Sequence, residues 1–307
     1  MSKVFRIGTR DSQLAVWQAT LVQQQLAANN IKSELVYIKS DGDIDLITPL
    51  YEIGVQGIFT KTLDAALLSK RIDIAVHSMK DVPTQLADGI IQAAVLERAS
   101  YKDILVFKNN KDFLNDFSSH AVIATSSIRR QSQWLHRYPN HSIESLRGNV
   151  NTRLGKVAES NWNGAIFAAA GLERIHLRPE NSVELDWMLP APSQGAIMVV
   201  CREDNKEAQE TCGMLNDAAT ALCTKIEKDF LRTLMGGCST PISALAEIYN
   251  GIVHFRGNIF SLDGKEKKEI EKKINIENAV NSGAAAASEL LNNGGRTISE
   301  AIRNAKK

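Results

Sequence analysis

Apolar positions in the first 100 residues follow two different spacings in turn. The runs VFRIG (4–8), SELVYIK (33–39) and IDIAVHS (72–78) are short and predict strands. Between them, Leu14, Trp17 and Leu21 recur at helical spacing, and IFTKTLDAALLSK predicts a second helix. The order β-α-β-α-β predicts helices packed against a sheet, which is an α/β layer structure.

The same alternation resumes after residue 100 and changes near residue 217. Strands are predicted at DILVF, AVIAT, HSIESL and GAIFAAA, and helices at SSIRRQSQWLHRY and NVNTRLGKVAES. A further strand is predicted at AIMVVCRED, and we expect it to return to the first unit. From 217 a helix precedes three consecutive strands and a closing helix. The predicted fold class is α/β with three domains: 1–96 joined by 196–216, then 97–195, then a smaller α+β domain at 217–307.

The bulk composition is that of a soluble globular protein. The chain has 307 residues, of which 44% are hydrophobic and 23% charged. No apolar run approaches the roughly 20 residues that span a bilayer. The N-terminal MSKVFRIGTR carries a charge within its first apolar stretch and has no small-residue cleavage site. We therefore expect a cytoplasmic protein that does not engage a membrane.

Charge is unevenly distributed along the chain. The net charge is only +1, so nothing global indicates a nucleic-acid partner. Five arginines nevertheless lie between 129 and 153, against a single acidic residue, which leaves a local charge of +4. This stretch is a candidate anion site.

Cysteine spacing argues against a metal site. No pair of the four cysteines has CxxC spacing and no histidine cluster lies near them, so no metal is expected. Cys201 falls in a predicted strand, and Cys212 and Cys223 fall in helical patterns, where packing is the expected role. Cys238 differs, because MGGCSTP places it behind two glycines and ahead of a proline. Such a loop predicts an accessible thiol.

A lysine and an aspartate follow directly on a predicted buried strand in HSMKDVP (77–83). Ligands of open α/β sheets bind beyond the carboxyl ends of the strands, so Lys80 and Asp81 would reach a binding edge together. A local surface ion pair between them is the alternative, since such pairs are common and weak.

Arginines recur at helix starts that follow predicted strands. TSSIRRQ (125–131) places Arg129 and Arg130 there. A helix-capping role would explain one of the serines, but it does not explain the two arginines. The helix dipole disfavours cations at a helix start unless an anion lies between them. SLRGNVNTRL, AAAGLERI and RIGTRDSQLA repeat the pattern. Guanidinium groups bind carboxylates bidentately, so the pattern predicts a polyanion site. A phosphate is less favoured because no P-loop or GxGxxG is present.

Six segments together resemble the porphobilinogen deaminase (hydroxymethylbilane synthase) family: RIGTRDSQLA, AVHSMKDVP, ATSSIRRQ, SLRGNVNTRL, LPAPSQGA and GGCSTPI. They occur in the family's order between residues 6 and 242. The resemblance implies that the first two domains are built like periplasmic binding proteins around a cleft. It also implies a monomeric transferase of haem and other tetrapyrrole biosynthesis, which joins four porphobilinogen molecules head to tail with loss of ammonia to give hydroxymethylbilane.

The resemblance also implies residue roles. A dipyrromethane cofactor would be held by a thioether to Cys238, and Asp81 would be the catalytic acid and base. The residues that would bind cofactor and substrate are Arg10, Ser12, Phe59, Lys80, Thr125, Ser127, Arg129, Arg130, Arg147, Arg153, Arg174 and Gln194.

Two departures and two alternatives accompany this interpretation. The family's GGKGLF-like loop appears as GVQGIF, with Gln56 at the lysine position, and its ERxDPRD-like stretch appears as ERASYKD, which keeps Asp103 but loses the proline. A non-enzymatic, two-lobed anion-binding protein is the first alternative; it would be exported or tethered and would not need Cys238. A cysteine hydrolase is the second, although none of the six histidines lies in a suggestive motif.

Overall fold

A computed structural model describes residues 4–39, 60–234 and 240–305. These residues form two compact units. The first contains 4–39, 60–99 and 194–222, and the second contains 100–193, 223–234 and 240–305. In the part of the chain that is described, no helix is long and apolar enough to cross a membrane.

The first unit is built on a five-stranded mixed sheet. Its strand order is β2-β1-β3-β10-β4, in which β1 pairs in parallel with β2 and β3 while β10 runs antiparallel to β3 and β4. The return of β10 to this sheet agrees with the sequence prediction. The elements are β1 (Phe5–Thr9), α1 (Gln13–Ala28), β2 (Ser33–Tyr37), α2 (Lys61–Leu68), β3 (Ile74–Ser78), β4 (Ile90–Val95), β10 (Ile197–Arg202) and α6 (Lys206–Gly213).

Helices cover both faces of this sheet, which explains why its central strands β3 and β10 are largely apolar. On one face Val22 and Leu26 of α1 pack against Ile7, and on the other Leu63 and Leu67 of α2 join a cluster that includes Ala75. Burial on both faces removes the alternation that marks a half-exposed strand. The prediction of a buried strand at 72–78 is confirmed.

The second unit contains a sheet with the same plan. Its strand order is β7-β6-β8-β5-β9, with β6 parallel to β7 and β8, and β5 antiparallel to β8 and β9. An antiparallel strand again lies between the third parallel strand and the edge. The elements are β5 (Asp103–Phe107), β6 (Val122–Ala124), α3 (Ile128–Arg137), β7 (Ser142–Glu144), α4 (Val150–Glu159), β8 (Gly164–Ala168), α5 (Ala169–Glu173) and β9 (Ser182–Glu184).

The second unit also contains the three consecutive strands predicted near the C-terminus. They form an antiparallel sheet in the order β11-β12-β13, which we call the C-terminal sheet. Phe230 of the preceding helix packs edge to face on Phe255 with ring centroids 5.1 Å apart. Helix α7 (Ala218–Thr233) begins in the first unit and belongs to the second from Cys223 onward. The other elements are β11 (Ile242–Tyr249), β12 (Ile252–Phe260), β13 (Lys267–Asn275), α8 (Ser282–Leu290) and α9 (Arg296–Asn304).

The predicted fold class is confirmed, with corrections to individual elements. The closing helix is two helices, α8 and α9, separated by a kink within Leu291–Gly295, where Gly294 has a left-handed φ of +95°. Strands β4 and β9 lie at sheet edges, and the sequence pattern did not indicate them. An edge strand has a single pairing partner. The three-residue β9 (SVE) is too short to show a strand pattern, whereas β4 (IIQAAV) is an apolar run that the sequence analysis did not single out.

An aromatic cluster packs beneath α3 in the second unit. Trp134 and Tyr138 are buried, with ring centroids 4.9 Å apart, and the His141 ring stacks on Tyr138 at the same distance. Trp134 Nε1 donates to His141 Nδ1 at 3.1 Å, so the neutral imidazole carries its proton on Nε2, 2.9 Å from Ser119 Oγ. Burial lowers the pKa of His141. The cluster therefore requires neutral imidazole.

Acidification is expected to weaken this cluster. Because the pKa of His141 is lower in the folded protein, the folded state binds fewer protons, and the stabilisation it contributes declines as pH falls below about 6.5. An NMR titration of the histidine ring protons, assigned with His141→Gln, should place the His141 midpoint below 6.5. A midpoint at or above that value would contradict the buried neutral imidazole.

Candidate active site

The first unit presents candidate residues at one edge of its sheet. Strands β1 and β3 are parallel, with Ile7 paired to Ile74, so their carboxyl ends lie at the same edge. Arg10 follows β1, and Lys80 and Asp81 follow β3. The sheet therefore brings these two predicted motifs to one edge, although more than 60 residues separate them.

A 3-10 turn at Met79–Asp81 fixes the direction of Lys80 and Asp81. Met79 is buried and its N–H donates to the Ala196 carbonyl at 3.0 Å, while Val82, also buried, donates to the Met79 carbonyl at 3.2 Å. Lys80 and Asp81 lie between these two anchors and are half-buried. Apolar anchors on either side hold the carboxylate at the sheet edge without burying it.

Two further predicted residues of the first unit differ in environment. Ser12 occupies the N-cap position of α1, and its side chain makes no capping hydrogen bond. Gln194 is 1% exposed, and its backbone carbonyl accepts from Arg98 Nε at 2.8 Å. Ser12 is therefore placed at the edge, whereas Gln194 is part of the interior.

The second unit repeats this arrangement with arginines. Strands β6, β7 and β8 are parallel, so the segments that follow them lie at one sheet edge. The Ser126 hydroxyl donates to the Leu146 carbonyl and accepts from its N–H, both at 2.9 Å, which ties two of these segments together. The predicted residues at this edge are Thr125, Ser127, Arg129, Arg130, Arg147, Arg153 and Arg174.

Asp103 holds the two arginines at the start of α3. Arg130 donates to Asp103 Oδ1 from Nε at 3.0 Å and from Nη2 at 2.7 Å, and Arg129 Nη2 lies 2.8 Å from Asp103 Oδ2. The carboxylate is 0% exposed, and both arginines are buried. Sequence reasoning missed this pairing, because Asp103 lies outside the arginine-rich stretch and only the sheet brings it to α3.

This buried cluster carries one more positive than negative charge. Burial lowers the pKa of Arg129, and the neighbouring Asp103 opposes that shift. Arg129 Nη1 donates to the Leu189 carbonyl at 2.8 Å, but Arg129 Nε is buried and has no hydrogen-bond partner among the described residues. An anion that binds here would both compensate the charge of the desolvated cation and accept a hydrogen bond from the unused donor.

The remaining arginines of this edge, Arg147, Arg153 and Arg174, are buried or half-buried. Arg153 Nε donates to the Gly148 carbonyl at 2.7 Å, and Gly148 adopts a left-handed φ of +114° that a side chain would strain. Arg147 is 8% exposed. Burial lowers the pKa of Arg174 to about 10, against the opposing influence of Glu173, so its guanidinium remains charged at neutral pH. Each of these cations is thus partly removed from water.

One arginine of the predicted cluster lies elsewhere. Arg137 is at the opposite end of α3 from Arg129, and ten helical residues span about 15 Å. It contacts aromatic rings instead of the strand edge. The local charge of +4 counted from the sequence therefore overstates the positive charge of the site. Asp103 contributes a negative charge to it, and Arg137 does not belong to it.

Comparison with known proteins identifies the relatives of this chain. Residues 5–210 match the porphobilinogen deaminase dipyromethane cofactor binding domain, and residues 221–292 match the porphobilinogen deaminase C-terminal domain. The chain belongs to the porphobilinogen deaminase family. A porphobilinogen deaminase of Chloroherpeton thalassium is 39% identical over 307 residues, which cover 95% of this chain and 98% of that protein. One from Chlorobium phaeobacteroides is 39% identical over 313 residues, which cover 99% of each.

Membership of the porphobilinogen deaminase family confirms the predicted enzyme class, its role in tetrapyrrole biosynthesis and its dipyrromethane cofactor. The non-enzymatic alternative is not favoured. Among solved structures, a periplasmic substrate-binding protein of an ABC transporter from Coxiella burnetii is 14% identical, with a TM-score of 0.44 over 71% of this chain and 94% of that one. That likeness is weak, and the assignment depends on the sequence relatives.

The donor set of the second unit fits the cofactor of the porphobilinogen deaminase family. The sheet edge of the second unit offers guanidinium and hydroxyl groups. It includes Arg129 Nε, which is unused and lies within a cluster of net positive charge. These groups suit carboxylates, which accept two guanidinium hydrogen bonds at once. Among the described residues there is no cluster of side chains that could hold a metal ion.

Two predicted site residues, Phe59 and Cys238, lie outside the described residues, as does Gln56. The other three cysteines are buried, as the sequence indicated, and none of them is in a disulfide. Burial raises the pKa of the Cys212 thiol to about 12 and also raises that of Cys201. A buried thiol that stays protonated is a poor nucleophile, so neither is suited to carry a covalent group.

Proposed function

We propose that this chain joins four porphobilinogen molecules head to tail on a dipyrromethane primer, with a thioether at Cys238 as the attachment. The observation that carries the proposal within the structure is the buried Asp103–Arg129–Arg130 cluster, which has excess positive charge and an unused donor. Family membership supplies the reaction. The residue roles below are part of the same proposal.

The arginine edge is proposed to hold the carboxylates of the growing chain. Each porphobilinogen unit carries an acetate and a propionate, so the product is a polyanion. Carboxylates that leave water need charged partners, and guanidinium groups supply them without losing protons. Arg130 uses Nε, Nη1 and Nη2 on Asp103 and the Ile166 carbonyl, whereas Arg129 keeps Nε available. Arg129 is therefore the better donor to a ligand.

Asp81 is proposed to act at the reacting ring. In each addition the bond between the aminomethyl carbon and nitrogen breaks, ammonia leaves, and a cationic electrophile forms from the substrate. The pyrrole carbon of the chain then forms the new carbon–carbon bond and loses a proton. An ionised carboxylate stabilises the positive ring and can accept that proton. The turn at Met79–Asp81 holds the Asp81 carboxylate at the sheet edge for this purpose.

Cys238 is proposed as the anchor because of its surroundings in sequence and the state of the other thiols. It follows two glycines and precedes a serine, a threonine and a proline. Forming a thioether requires thiolate character and access. Cys201 and Cys212 are buried, with raised thiol pKa values, and Cys223 is buried in α7. Cytoplasmic location and a monomeric state also belong to this proposal.

Replacing Cys238 by alanine should remove the covalent primer. Intact mass spectrometry of denatured wild-type protein is expected to give a mass above that of the polypeptide, and peptide mapping should place the increment within 235–241. Cys238→Ala should have the polypeptide mass and no turnover. Cys212→Ala is the matched control and should keep the increment, since its thiol is buried. An active wild-type protein with the bare polypeptide mass would overturn the proposal.

A further inference from the structure

A pocket with a volume of about 370 Å³ lies within the second unit, next to the arginine edge but outside it. Helix α3 contributes Gln133, His136 and Arg137 to one wall, and the C-terminal sheet contributes Asn258 and Phe260 to the other. Small-molecule pockets have volumes of roughly 300–1,000 Å³, so this one has room for a compact ligand. The proposed function assigns no role to it.

Side chains at alternate positions of β12 form part of the pocket wall that the C-terminal sheet provides. Val253, Phe255 and Ile259 are buried on the face that packs on the C-terminal helices. Arg256, Asn258 and Phe260 alternate with them and therefore lie on the opposite face. Polar and aromatic groups are thus arrayed on a face that α3 only partly covers.

The turn between β12 and β13 packs against helix α3, which forms one wall of the pocket. A Cβ at Gly264, whose φ is +75°, would lie 2.4 Å from the Ser132 carbonyl oxygen on α3, so this turn packs backbone against backbone. His136 Nδ1 donates to the Gly264 carbonyl at 2.7 Å. The wall that α3 provides is consequently held in place by the sheet itself.

Arg137 supplies a cation that has no acidic partner in the described part of the chain. Its guanidinium lies 4.9 Å from the Trp187 ring centroid and 5.6 Å from that of Tyr138. The other cations of the pocket are engaged, because Arg256 pairs with Glu247 and Lys267 pairs with Glu269. Arg137 Nε donates to the Tyr138 hydroxyl at 3.3 Å. This bond and the ring stacking orient the guanidinium, whose Nη groups can bind a carboxylate.

Asn258 supplies an unused acceptor. Its side chain is 5% exposed, yet Oδ1 has no hydrogen-bond partner among residues 4–39, 60–234 and 240–305. Buried polar atoms are nearly always paired, so an exception at a pocket wall is a mark of a ligand. An N–H of a bound molecule would satisfy it.

We propose that this pocket binds a small aromatic carboxylate that carries a ring N–H. The carboxylate pairs with Arg137, the ring packs against Trp187, and the N–H donates to Asn258 Oδ1. The residues that line the pocket include three cations, Arg137, Arg256 and Lys267, and two carboxylates, Glu269 and Glu271, so the lining carries a net charge of +1. An incoming carboxylate would balance this excess positive charge.

The pocket is separate from the arginine edge but adjoins it. Leu189 lines the pocket, and its carbonyl accepts from Gln133 Nε2 at 3.0 Å and from Arg129 Nη1 at 2.8 Å. None of the arginines assigned to the substrate lines the pocket. A ligand here would therefore contact the residues that support Arg129 without replacing the substrate.

The test uses full-length protein in which the indole nitrogens of the four tryptophans are labelled with ¹⁵N, titrated with indole-3-acetate. The Trp187 signal should shift and saturate, while those of Trp17 and Trp162 stay in place. 3-Methylindole lacks the carboxylate and 1-methylindole-3-acetate lacks the N–H, and each should bind at least about tenfold more weakly, the loss of one charge-assisted or buried hydrogen bond.

Matched variants locate the binding groups. Arg137→Gln and Asn258→Leu should each weaken indole-3-acetate binding at least about tenfold. Arg178→Gln removes an exposed guanidinium elsewhere in the second unit and should leave binding unchanged. Unmoved Trp17 and Trp162 signals report that each variant is folded. The proposal is overturned if Trp187 does not respond, or if its response survives both Arg137→Gln and Asn258→Leu.

Discussion

Replacing Asp81 by asparagine is expected to lower the turnover of porphobilinogen by at least about 10³-fold while the protein keeps its fold and its primer. Asparagine has nearly the same size and retains the backbone contacts of Met79 and Val82 that shape the turn. It cannot stabilise a cationic ring or accept the proton. Turnover is measured from porphobilinogen consumption, and the primer from intact mass.

Asp88→Asn is the matched control for this substitution. Asp88 is an exposed carboxylate a few residues further along the first unit, so its loss changes the net charge of the unit by the same amount. Its turnover should remain near that of the wild type. Comparable rates in Asp81→Asn and wild type, or equal losses in the two variants, would refute the assignment of Asp81.

Replacing Asp103 by asparagine is expected to destabilise the second unit by about 3–5 kcal/mol, the usual effect of removing one partner of a buried ion pair. Arg129 and Arg130 would then lie buried together without their carboxylate. Urea unfolding followed by tryptophan fluorescence measures the loss. Asp186→Asn is the control, because its exposed carboxylate pairs with Lys102 at the surface and should contribute less than about 1 kcal/mol.

The destabilisation by Asp103→Asn should depend on the primer. A bound carboxylate offsets part of the extra positive charge, so the loss is expected to be larger in the Cys238→Ala background than in protein that carries the primer. A structural role that is independent of the ligand predicts equal losses in the two backgrounds. That equality would contradict the assignment of the arginine cluster as the anion site.

The hydrophobic pattern determined much of the secondary structure by itself. The buried strand at 72–78, the return of AIMVVCRED to the first sheet and the burial of Cys201 all follow from short apolar runs, and each is confirmed. Local physics suffices there, because a strand covered by helices on both faces must be apolar throughout. The six motifs likewise sufficed to indicate the family.

The pairing of distant groups was decided only by tertiary structure. The two five-stranded sheets share one plan, although no internal repeat is visible in the sequence. Asp103 reaches Arg130 from 27 positions away. Arg137, which counts with the arginine cluster in sequence, lies at the other end of α3. The spacing of residues in the sequence shows which side chains are neighbours within one helix or strand. Which charges on different elements come into contact depends on strand order and register.

The sequence thus indicated the candidate chemistry: arginines predicted to bind carboxylates, one aspartate after a buried strand, and Cys238 next to two glycines. The tertiary structure decided how much of that charge remains available, because Asp103 neutralises part of the arginine cluster. It also placed Arg137 at a pocket outside the arginine edge, together with Asn258, whose Oδ1 has no hydrogen-bond partner in the described part of the chain. The physical reason is that burial and pairing, which set the strength of a charge, depend on contacts between segments far apart in the chain.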